Sequence, residues 1–510
     1  MAAHLTHQDT TMFNHRLVFA LCLLLPAVPA QARNFVLTIG GGYSPSGNQV
    51  SLEKNVLLFN RVLENYSDQI HQHDIFFADG KDRRRDLLVH DPESLPKANQ
   101  LMAEFFGNAR GLGLSFRNHK VPDVQDAIRP QSVKKWFSKM GPKMEAGDSL
   151  FVYVTAHGGR SNDRNNAYNT SIAMWGNSSL RMKEFTQLLD SLNPEVNVIV
   201  VMVQCYTGGF SRLVYREGDP TKGLSPQRRA GFYATVHDRP AAGCTPDVNE
   251  ENYVEYSTYF WAAVSGVDRT GQKIEQPDYD EDGVISLEEA HAYAIITADT
   301  IDVPVKTSGE FLSYESKFGK DGDREFLAND EPFSRVLELA SPVQKTVLTK
   351  LSEKLKLSGE NRLVDAWEKT RTNNQSRGRR PPQSAAAGLK SRIAGDIRRK
   401  WPGLANVVNP ISVELMTTRS EEFVNMIENH PSYQQYRKEL EKERRQRTAT
   451  ETKAQYERFL RVADNVILAE NLKRMANEDR IREYESIIAA EGAPLFGKPS
   501  DQAADLPTCP

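Results

Sequence analysis

The sequence predicts an α/β fold, a three-layer sandwich with a mostly parallel sheet, followed by a C-terminal helical region. Apolar runs such as residues 149–155 and 196–203 are rich in β-branched and aromatic residues and do not alternate with polar ones. Continuous runs of this kind are typical of parallel strands buried on both faces. Segments with apolar residues at helical spacing separate the runs, and after Pro332 charged helical segments replace the strands.

The elements of the α/β part follow in chain order between residues 33 and 330. A first helix is indicated by Leu52, Val56, Phe59 and Leu63, and a later one covers residues 181–192, because apolar side chains recur there at helical spacing. Strands are predicted at residues 35–40, 74–78, 149–155, 196–203 and 231–236.

Residues 331–510 form the predicted helical region, with a basic, proline-containing linker at residues 371–388. One helix of this region carries an apolar stripe, which is a candidate surface for a protein partner or for the α/β domain. A stripe at this spacing is more often part of a core, so packing within the region is the favoured interpretation. The stripe consists of Tyr456, Phe459, Leu460, Ala463, Val466 and Ile467.

Charge and the N-terminal residues restrict the class of protein. A formal net charge of -3 over 510 residues gives no sign of a nucleic-acid partner. Arg16 precedes an apolar run at residues 17–28, and a small-x-small site ends at Ala32. The run is shorter than the roughly 20 residues that a membrane span needs. Residues 1–32 are therefore predicted to be a signal peptide, with an uncleaved anchor as the alternative, and the protein to be periplasmic or extracellular, with no transmembrane segment in the mature chain.

The cysteine count suggests that a thiol is kept for chemistry. The chain has 4 cysteines, and Cys22 would leave with the signal peptide. Cys205, Cys244 and Cys509 remain, an odd number in a compartment where structural cysteines usually pair. At least one thiol is therefore unpaired within the monomer.

Two predicted strands run directly into reactive residues. One ends in Ala156-His157-Gly158-Gly159 and the other in Gln204-Cys205. Ligands of parallel sheets bind beyond the carboxyl ends of the strands, so a His and a Cys placed there can meet. A nearby His lowers the pKa of a thiol and activates it, and glycines leave backbone N–H groups open to an oxyanion. Either residue alone is more often structural, but the two together favour catalysis.

These motifs resemble the legumain–caspase class of cysteine peptidases, and residues 150–159 and 198–209 are similar to legumain in particular. The resemblance implies a caspase-like fold and a peptide or protein substrate. It also implies that Cys205 is the nucleophile, that His157 is the general acid and base, and that the amides of Gly158 and Cys205 form the oxyanion hole. Asn48 matches the Asn that orients the His in legumain-like enzymes.

Two further residues bear on substrate recognition. Legumain-like enzymes carry an acidic residue two positions before the Cys, and caspases carry Gln there. This chain has Val203, which strand alternation places on the same face as Cys205, so the predicted pocket wall is apolar. Asp247, in a Cys-x-x-Asp sequence similar to one in legumain, is the candidate acidic residue of the pocket.

Residues 278–289 match the calcium loop of an EF-hand. Three alternating aspartates bring carboxylates together, Gly283 allows the sharp turn, and hard oxygen donors suit Ca²⁺ better than zinc. Pro277 argues against a helix leading in, so only the loop and its exit helix are expected. A plain capping box of Ser286 and Glu289 is the alternative, but it leaves the aspartates unexplained. The predicted ligands are Asp278, Asp280, Asp282, Val284 through its carbonyl, Ser286 and Glu289.

No organic cofactor is expected. Three glycines at residues 40–42 follow a strand as in a dinucleotide-binding turn, but the third glycine of that motif would fall at Pro45. The sequence as a whole predicts an exported cysteine endopeptidase with structural calcium. A transpeptidase or ligase, and a non-catalytic calcium-binding scaffold of the same fold, are the alternatives.

Overall fold

A computed structural model describes Met1 and residues 32–320, 325–371, 384–445 and 448–497. Residues 2–31 of the predicted signal peptide, with Cys22, and also Cys509 lie outside this part of the chain. From Arg33 onward the described residues form one compact unit. Its strands are β1 (Asn34–Gly41), β2 (Ile70–Phe77), β3 (Leu87–His90), β4 (Leu114–Arg117), β5 (Val124–Asp126), β6 (Ser149–Gly159), β7 (Ser171–Met174), β8 (Ser178–Arg181), β9 (Asn197–Met202), β10 (Arg229–Tyr233) and β11 (Val305–Lys306).

The helices are distributed along the whole described chain. Those between the strands are α1 (Val50–Glu64), α2 (Lys97–Phe105), α3 (Pro130–Met140), α4 (Met182–Asp190), α5 (Tyr256–Ser265) and α6 (Leu287–Thr297). Those after β11 are α7 (Thr307–Glu315), α8 (Phe333–Leu339), α9 (Pro342–Leu355), α10 (Arg362–Arg371), α11 (Ala385–Lys400), α12 (Pro410–Met416), α13 (Ser420–Glu428), α14 (Tyr433–Arg445), α15 (Ala449–Arg474) and α16 (Glu478–Glu491).

The central sheet is mostly parallel, as the sequence predicts. Its strand order is β11-β10-β9-β6-β1-β2-β5, with each neighbouring pair parallel except β10 and β11. The predicted strands at residues 35–40, 74–78, 149–155, 196–203 and 231–236 overlap β1, β2, β6, β9 and β10. A two-stranded antiparallel extension, β7 with β8, continues from the end of β6.

Helices cover both faces of this sheet. Side chains of β1 alternate between the two faces, so Leu37 packs with α3 and α4 while Val36 packs with α1, α5 and α6. Phe59 and Trp261 lie in the second of these cores, with their ring centroids 4.5 Å apart. Both faces of the central strands are therefore apolar, which is why their sequences lack alternation.

The C-terminal helical region packs onto the α/β part. Helices α11, α13 and α14 form an apolar core with α2. In α15, the predicted stripe is largely core: Phe459, Ala463, Val466 and Ile467 are buried against α6, α8, α9 and α10. No helix in the described residues combines the length and apolar character needed to cross a membrane.

The predicted linker, residues 371–388, extends too far at its C-terminal end. Arg371 closes α10, and α11 begins at Ala385, capped by the Ser384 hydroxyl. Residues 385–388 are thus helical because Ser384 accepts the N–H of Ala387 and three alanines follow it. Residues 372–383 lie outside the described part of the chain.

Candidate active site

Neighbouring parallel strands bring His157 and Cys205 to one edge of the sheet. Val154 of β6 pairs with Met202 of β9. Three residues beyond this pair, the first strand leads to His157 and the second to Cys205. Gly158 lies directly against the Cys205 carbonyl, since a Cβ on this glycine would sit 1.9 Å from that oxygen. We call the end of the sheet that carries His157 and Cys205 the thiol edge. Glycine is required at position 158 because any side chain would push the two strand ends apart.

The chain turns sharply after Cys205. Tyr206 adopts a left-handed conformation with φ of 60°, which costs a non-glycine residue roughly 1–2 kcal/mol. Contacts on both sides of the peptide hold it there: the Tyr206 amide donates to the Arg239 carbonyl at 3.0 Å, and the Thr170 hydroxyl donates to the Tyr206 carbonyl at 3.0 Å. A 3-10 helix, Thr207–Val214, follows immediately. The turn sends the chain away from the sheet and leaves Cys205 at the strand end.

His157 is held by the loop that follows β1. Its Nε2 lies 2.8 Å from the Gly47 carbonyl oxygen and 2.9 Å from Oε1 of Gln49. A carbonyl only accepts, so this pattern assigns the proton to Nε2 and leaves the lone pair on Nδ1. The Tyr43 ring meets the imidazole edge-on, with centroids 5.3 Å apart. His157 therefore has the tautomer and the fixed orientation that a general base needs.

Asn48 lies in this loop but does not orient His157 directly, contrary to the prediction. Its side chain is fully buried and faces away, accepting the Gly42 N–H at 2.9 Å. Its amide group donates to the carbonyl oxygen and to Oδ2 of Asp86, at 3.2 and 3.1 Å. The residues on either side of Asn48 contact the imidazole. Asn48 is therefore a positioning residue that fixes the loop, and the loop fixes His157.

The thiol of Cys205 is contacted by Ala241. The Ala241 amide donates to Sγ at 3.3 Å, and the thiol in turn lies 3.8 Å from the Ala241 carbonyl oxygen. Cys205 and Cys244 are both free thiols. One residue farther on, the Ala242 amide donates to the buried Asp302 carboxylate at 2.6 Å, which anchors the loop against the α/β core.

The surroundings of Cys205 and His157 favour the neutral form of each side chain. Burial, together with the charge of Asp302, raises the pKa of the Cys205 thiol above its ordinary value. Burial also lowers the pKa of His157, although the hydrogen bond to the Gly47 carbonyl opposes this. Among the described residues, the ring and the thiol share no hydrogen bond. The expectation that His157 lowers the thiol pKa is thus wrong for the free protein, because desolvation outweighs a partner that is itself uncharged.

The C-terminal region reaches the thiol edge through Arg458 of α15. Its guanidinium is 1% exposed and donates to backbone carbonyls of Ile295, Ala298, Thr300 and Asp302 at 2.6–3.1 Å. The carbonyl of Asp302 thus accepts from Arg458, while its side chain accepts from Ala242 beside the thiol. A residue near the end of the chain therefore supports the loop that contacts Cys205.

The two residues predicted to bind substrate, Val203 and Asp247, are held by contacts of their own. Val203 is half-buried, donates its N–H to Val154 at 3.0 Å and packs with the core that α1 and α5 share. Asp247 pairs with His90 in an isolated bridge, and its carboxylate accepts from the Asn249 amide and the Asn252 side chain at 2.9 and 2.8 Å. Both carboxylate oxygens of Asp247 thus stabilise the turn that follows it.

The acidic loop, residues 278–289, brings three aspartate side chains together. One carboxylate oxygen from each of Asp278, Asp280 and Asp282 lies within 4.8 Å of the others, and Gly283 has φ of +78°. The loop leads directly into α6, which begins at Leu287 behind the Ser286–Glu289 capping box. Glu289 is fully buried; its Oε1 accepts the Tyr279 amide at 2.6 Å, and burial raises the pKa of its carboxyl. The described residues contain no helix leading into the loop, in agreement with the effect expected of Pro277.

Sequence reasoning missed four residues of the thiol edge. Gly47 and Gln49 could have been found, because they flank the Asn48 that the motif pointed to. No local signal marks Ala241 or Asp302. Ala241 lies in the loop between β10 and α5, and Asp302 lies in the segment before β11. Only the folding of these two segments brings them close to Cys205.

Comparisons with known proteins add little to this geometry. No protein-family model matches the chain, and a search of curated proteins finds no match. Among solved structures, the chain is similar to protein GSU0716 from Geobacter sulfurreducens, with 12% identity, 42% of this chain and 77% of that chain covered, and a TM-score of 0.25. A likeness this weak carries no argument about function.

Proposed function

We propose that the protein is an exported cysteine endopeptidase of the caspase-like fold, with Cys205 as nucleophile and His157 as general acid and base. The observation that supports this proposal is that β6 and β9 are neighbouring parallel strands which end side by side. Their ends deliver a free thiol and an imidazole of defined tautomer to one edge, with Gly158 packed on the Cys205 carbonyl. A structural Cys and His would need neither the strained turn at Tyr206 nor the loop that holds the ring.

The proposed reaction begins from two neutral groups. Sγ of Cys205 attacks the carbonyl carbon of the scissile peptide, and the S–H proton moves to the lone pair on Nδ1 of His157. The C–S bond forms as the carbonyl π electrons move onto oxygen, where the amides of Gly158 and Cys205 are the proposed donors. The C–N bond then breaks, and Nδ1 returns the proton to the leaving amine. Water then attacks the thioester and gives one proton to Nδ1; the C–S bond breaks, Nδ1 passes that proton to the leaving sulfur of Cys205, and the acid product departs with the remaining O–H.

The raised thiol pKa and the lowered imidazole pKa suit this order of events. A standing thiolate–imidazolium pair would bring two charges into a half-buried site, at a cost in desolvation. Proton transfer during attack avoids that cost and makes reactivity depend on bound substrate. Free protein should accordingly react slowly with small thiol reagents at neutral pH, and a peptide-based electrophile that occupies the substrate site should react faster.

Calcium is the proposed structural cofactor. Three carboxylates held within one loop repel one another unless a cation neutralises them, and oxygen donors at these positions fit Ca²⁺. The loop leads into α6, so bound calcium would stabilise the start of a helix that packs on the central sheet. The ion takes no part in the proposed reaction.

The test is cleavage of a peptide library by purified protein, read by mass spectrometry. Cys205→Ala should abolish cleavage and His157→Ala should nearly abolish it, because neither group alone turns over the acyl-enzyme. Cys244→Ala is the matched control: burial and the Glu255 charge raise the pKa of that thiol strongly, so its loss should leave cleavage unchanged.

The alternatives predict different results in the same experiment. A ligase or transpeptidase would join added amines to the new C-terminus and lose this activity in Cys205→Ala. A non-catalytic scaffold would give no product with wild type, and Cys205→Ala would lower the melting temperature as the loss of a buried structural side chain does. Cleavage that survives in Cys205→Ala would refute the proposed nucleophile.

A further inference from the structure

A second cluster of reactive side chains lies beyond the end of β2, next to the loop that holds His157. Asp79 follows β2, Asp86 precedes β3, and His119 lies between β4 and β5. One possible ligand atom from each of these three residues lies within 4.8 Å of the other two. Three separate segments of the chain thus direct two carboxylates and one imidazole at a common point.

The two aspartates are buried, His119 is half-buried, and each of the three side chains has one buried polar atom without a hydrogen bond. Asp79 is 8% exposed and Asp86 is 1% exposed. Oδ1 of Asp79, Oδ1 of Asp86 and Nδ1 of His119 are each buried without a hydrogen bond. Leaving a buried polar group unsatisfied costs about 1–3 kcal/mol, and more when it is charged. Three such atoms facing one another indicate that something else satisfies them.

The imidazole of His119 is oriented as a metal ligand. Its Nε2 lies 2.9 Å from the Gly80 carbonyl oxygen, so Nε2 carries the proton and Nδ1 presents its lone pair to the two aspartates. The Phe77 ring packs against the imidazole, with centroids 5.0 Å apart. Histidines that bind metals commonly donate their other N–H to a carbonyl, which fixes both the tautomer and the ring orientation.

We propose that Asp79, Asp86 and His119 bind a divalent transition-metal ion, with zinc as the first candidate and manganese as the second. One nitrogen and two carboxylate oxygens match zinc, whose bonds to such ligands are about 2.0–2.2 Å long. Manganese also accepts a mixed set of this kind, whereas calcium and magnesium prefer oxygen alone. The site is distinct from the acidic loop in its residues, its burial and its nitrogen ligand.

Neighbouring charges and protons compete with the metal. Burial, together with the charges of Asp86 and Asp82, raises the pKa of Asp79 to about 7, so a proton between the carboxyl groups is the competing occupant. Arg84 is the nearest cation whose field reaches Asp79, but its guanidinium is bound to Asp82 at 2.6 Å on the exposed side of the loop. It therefore does not fill the point where the three unpartnered atoms meet.

Asp86 links the site to the loop that holds His157. Oδ1 of Asp86 is the oxygen without a hydrogen bond, and Oδ2 accepts a hydrogen bond from the Asn48 side chain. Asn48 in turn fixes the loop that contains Gly47 and Gln49. A metal on Asp86 would hold this side chain in place and so keep the hydrogen bond from Asn48 to Oδ2. Metal occupancy would therefore stabilise the orientation of His157 without contact between the ion and the substrate.

The test uses the full mature chain, stripped with a chelator and dialysed against zinc, manganese, calcium or magnesium chloride. Bound metal is then counted by elemental analysis. Wild type should retain one zinc or manganese per chain through Asp79, Asp86 and His119. Asp79→Asn and His119→Gln should bind at least tenfold more weakly, as expected when a ligand is lost. Asp123→Asn removes the same charge from an exposed position between His119 and β5, where φ of 52° suits Asn, and should bind like wild type.

A second measurement does not depend on the variants being folded. Cobalt added to wild type should give the visible absorption of a nitrogen- and oxygen-ligated ion, and zinc should displace it. Wild type that binds no zinc or manganese, or cobalt that stays fully hydrated, overturns the proposal in favour of a shared proton. So does retention of the metal by folded Asp79→Asn and His119→Gln. None of these results depends on peptidase activity, so this proposal and the proposed function fail separately.

Discussion

The thiol edge and the acidic loop hold their polar side chains in place by opposite means. At the thiol edge, His157 and Cys205 are contacted by neutral groups from distant parts of the chain, namely Gly47, Gln49 and Ala241. In the acidic loop, carboxylates accept amides of the same short segment, and Glu289 closes it. The first site therefore depends on the packing of the whole unit, and the second depends mainly on its own sequence and on charge.

The largest effect should come from Arg458, which supports the thiol edge from α15. Arg458→Met leaves several buried carbonyls without a donor, and each such loss costs about 1–3 kcal/mol. We expect a loss of about 3 kcal/mol or more in the free energy of unfolding, measured with urea, and faster labelling of Cys205 by a thiol reagent.

Lys453→Met on the same helix is the control, because Lys453 makes only a partly exposed pair with Glu457 at 3.7 Å. Its loss should cost less than about 0.5 kcal/mol. If Arg458→Met does not fold, Arg458→Lys keeps the charge with fewer donors and should fall between the two. Equal stability of Arg458→Met and Lys453→Met would show that α15 does not support the edge.

A smaller effect is expected from a single methyl group at the contact between the two strands. Gly158→Ala places a Cβ 1.9 Å from the Cys205 oxygen, and overpacking of this kind typically costs 1–3 kcal/mol. Peptide cleavage should fall more steeply than stability, because the displaced atoms belong to the proposed nucleophile, Cys205. Gly159→Ala is the control, because its Cβ meets only the Ser171 hydroxyl, at 2.7 Å. If cleavage falls equally in the two variants, position 158 has no special role.

The effect of calcium on stability tests whether the acidic loop depends mainly on its own residues and their charge, as its contacts indicate. With a dissociation constant on the order of 10⁻⁴–10⁻³ M, calcium at about 10 mM should stabilise the protein by about 1.4–2.7 kcal/mol. Glu289→Gln keeps the shape of the cap but loses the charge, so most of the rise in melting temperature should vanish. Glu281→Gln, at a non-ligand position of the same loop, should keep it. A rise of the same size in Glu289→Gln would exclude this loop as the source.

The smallest effect concerns the pH dependence of the thiol. The Asp302 carboxylate disfavours the thiolate of Cys205, and burial raises its own pKa to about 6. In Asp302→Asn, the profile of alkylation rate against pH should therefore shift to lower pH. Below about pH 6, where the carboxyl is protonated, the variant and wild type should agree. Asp299→Asn, in the same segment but paired with Lys354 at 2.8 Å, should leave the profile unchanged.

The parts of the molecule that sequence predicts well are those with local causes. Buried strands such as β6 appear as continuous apolar runs, and the acidic loop brings together carboxylates that are close in sequence. The support of His157 by Gly47 and Gln49 follows from the three-dimensional path of a loop, which no periodicity encodes. Asp79 lies between these two cases. The predicted strand at residues 74–78 ends beside it, and because ligands bind at strand ends, the sequence could have suggested Asp79 as a binding residue.

Arg458 also determines when the thiol edge can be completed. Its side chain reaches the segment around Asp302 from α15, 156 residues later in the chain, so a growing polypeptide lacks this support until α15 has been made. Contacts between such distant parts of a chain form late, because the loop between them must close first. A chain without α15 would thus carry the thiol and the imidazole but lack the packing that aligns the loop beside them.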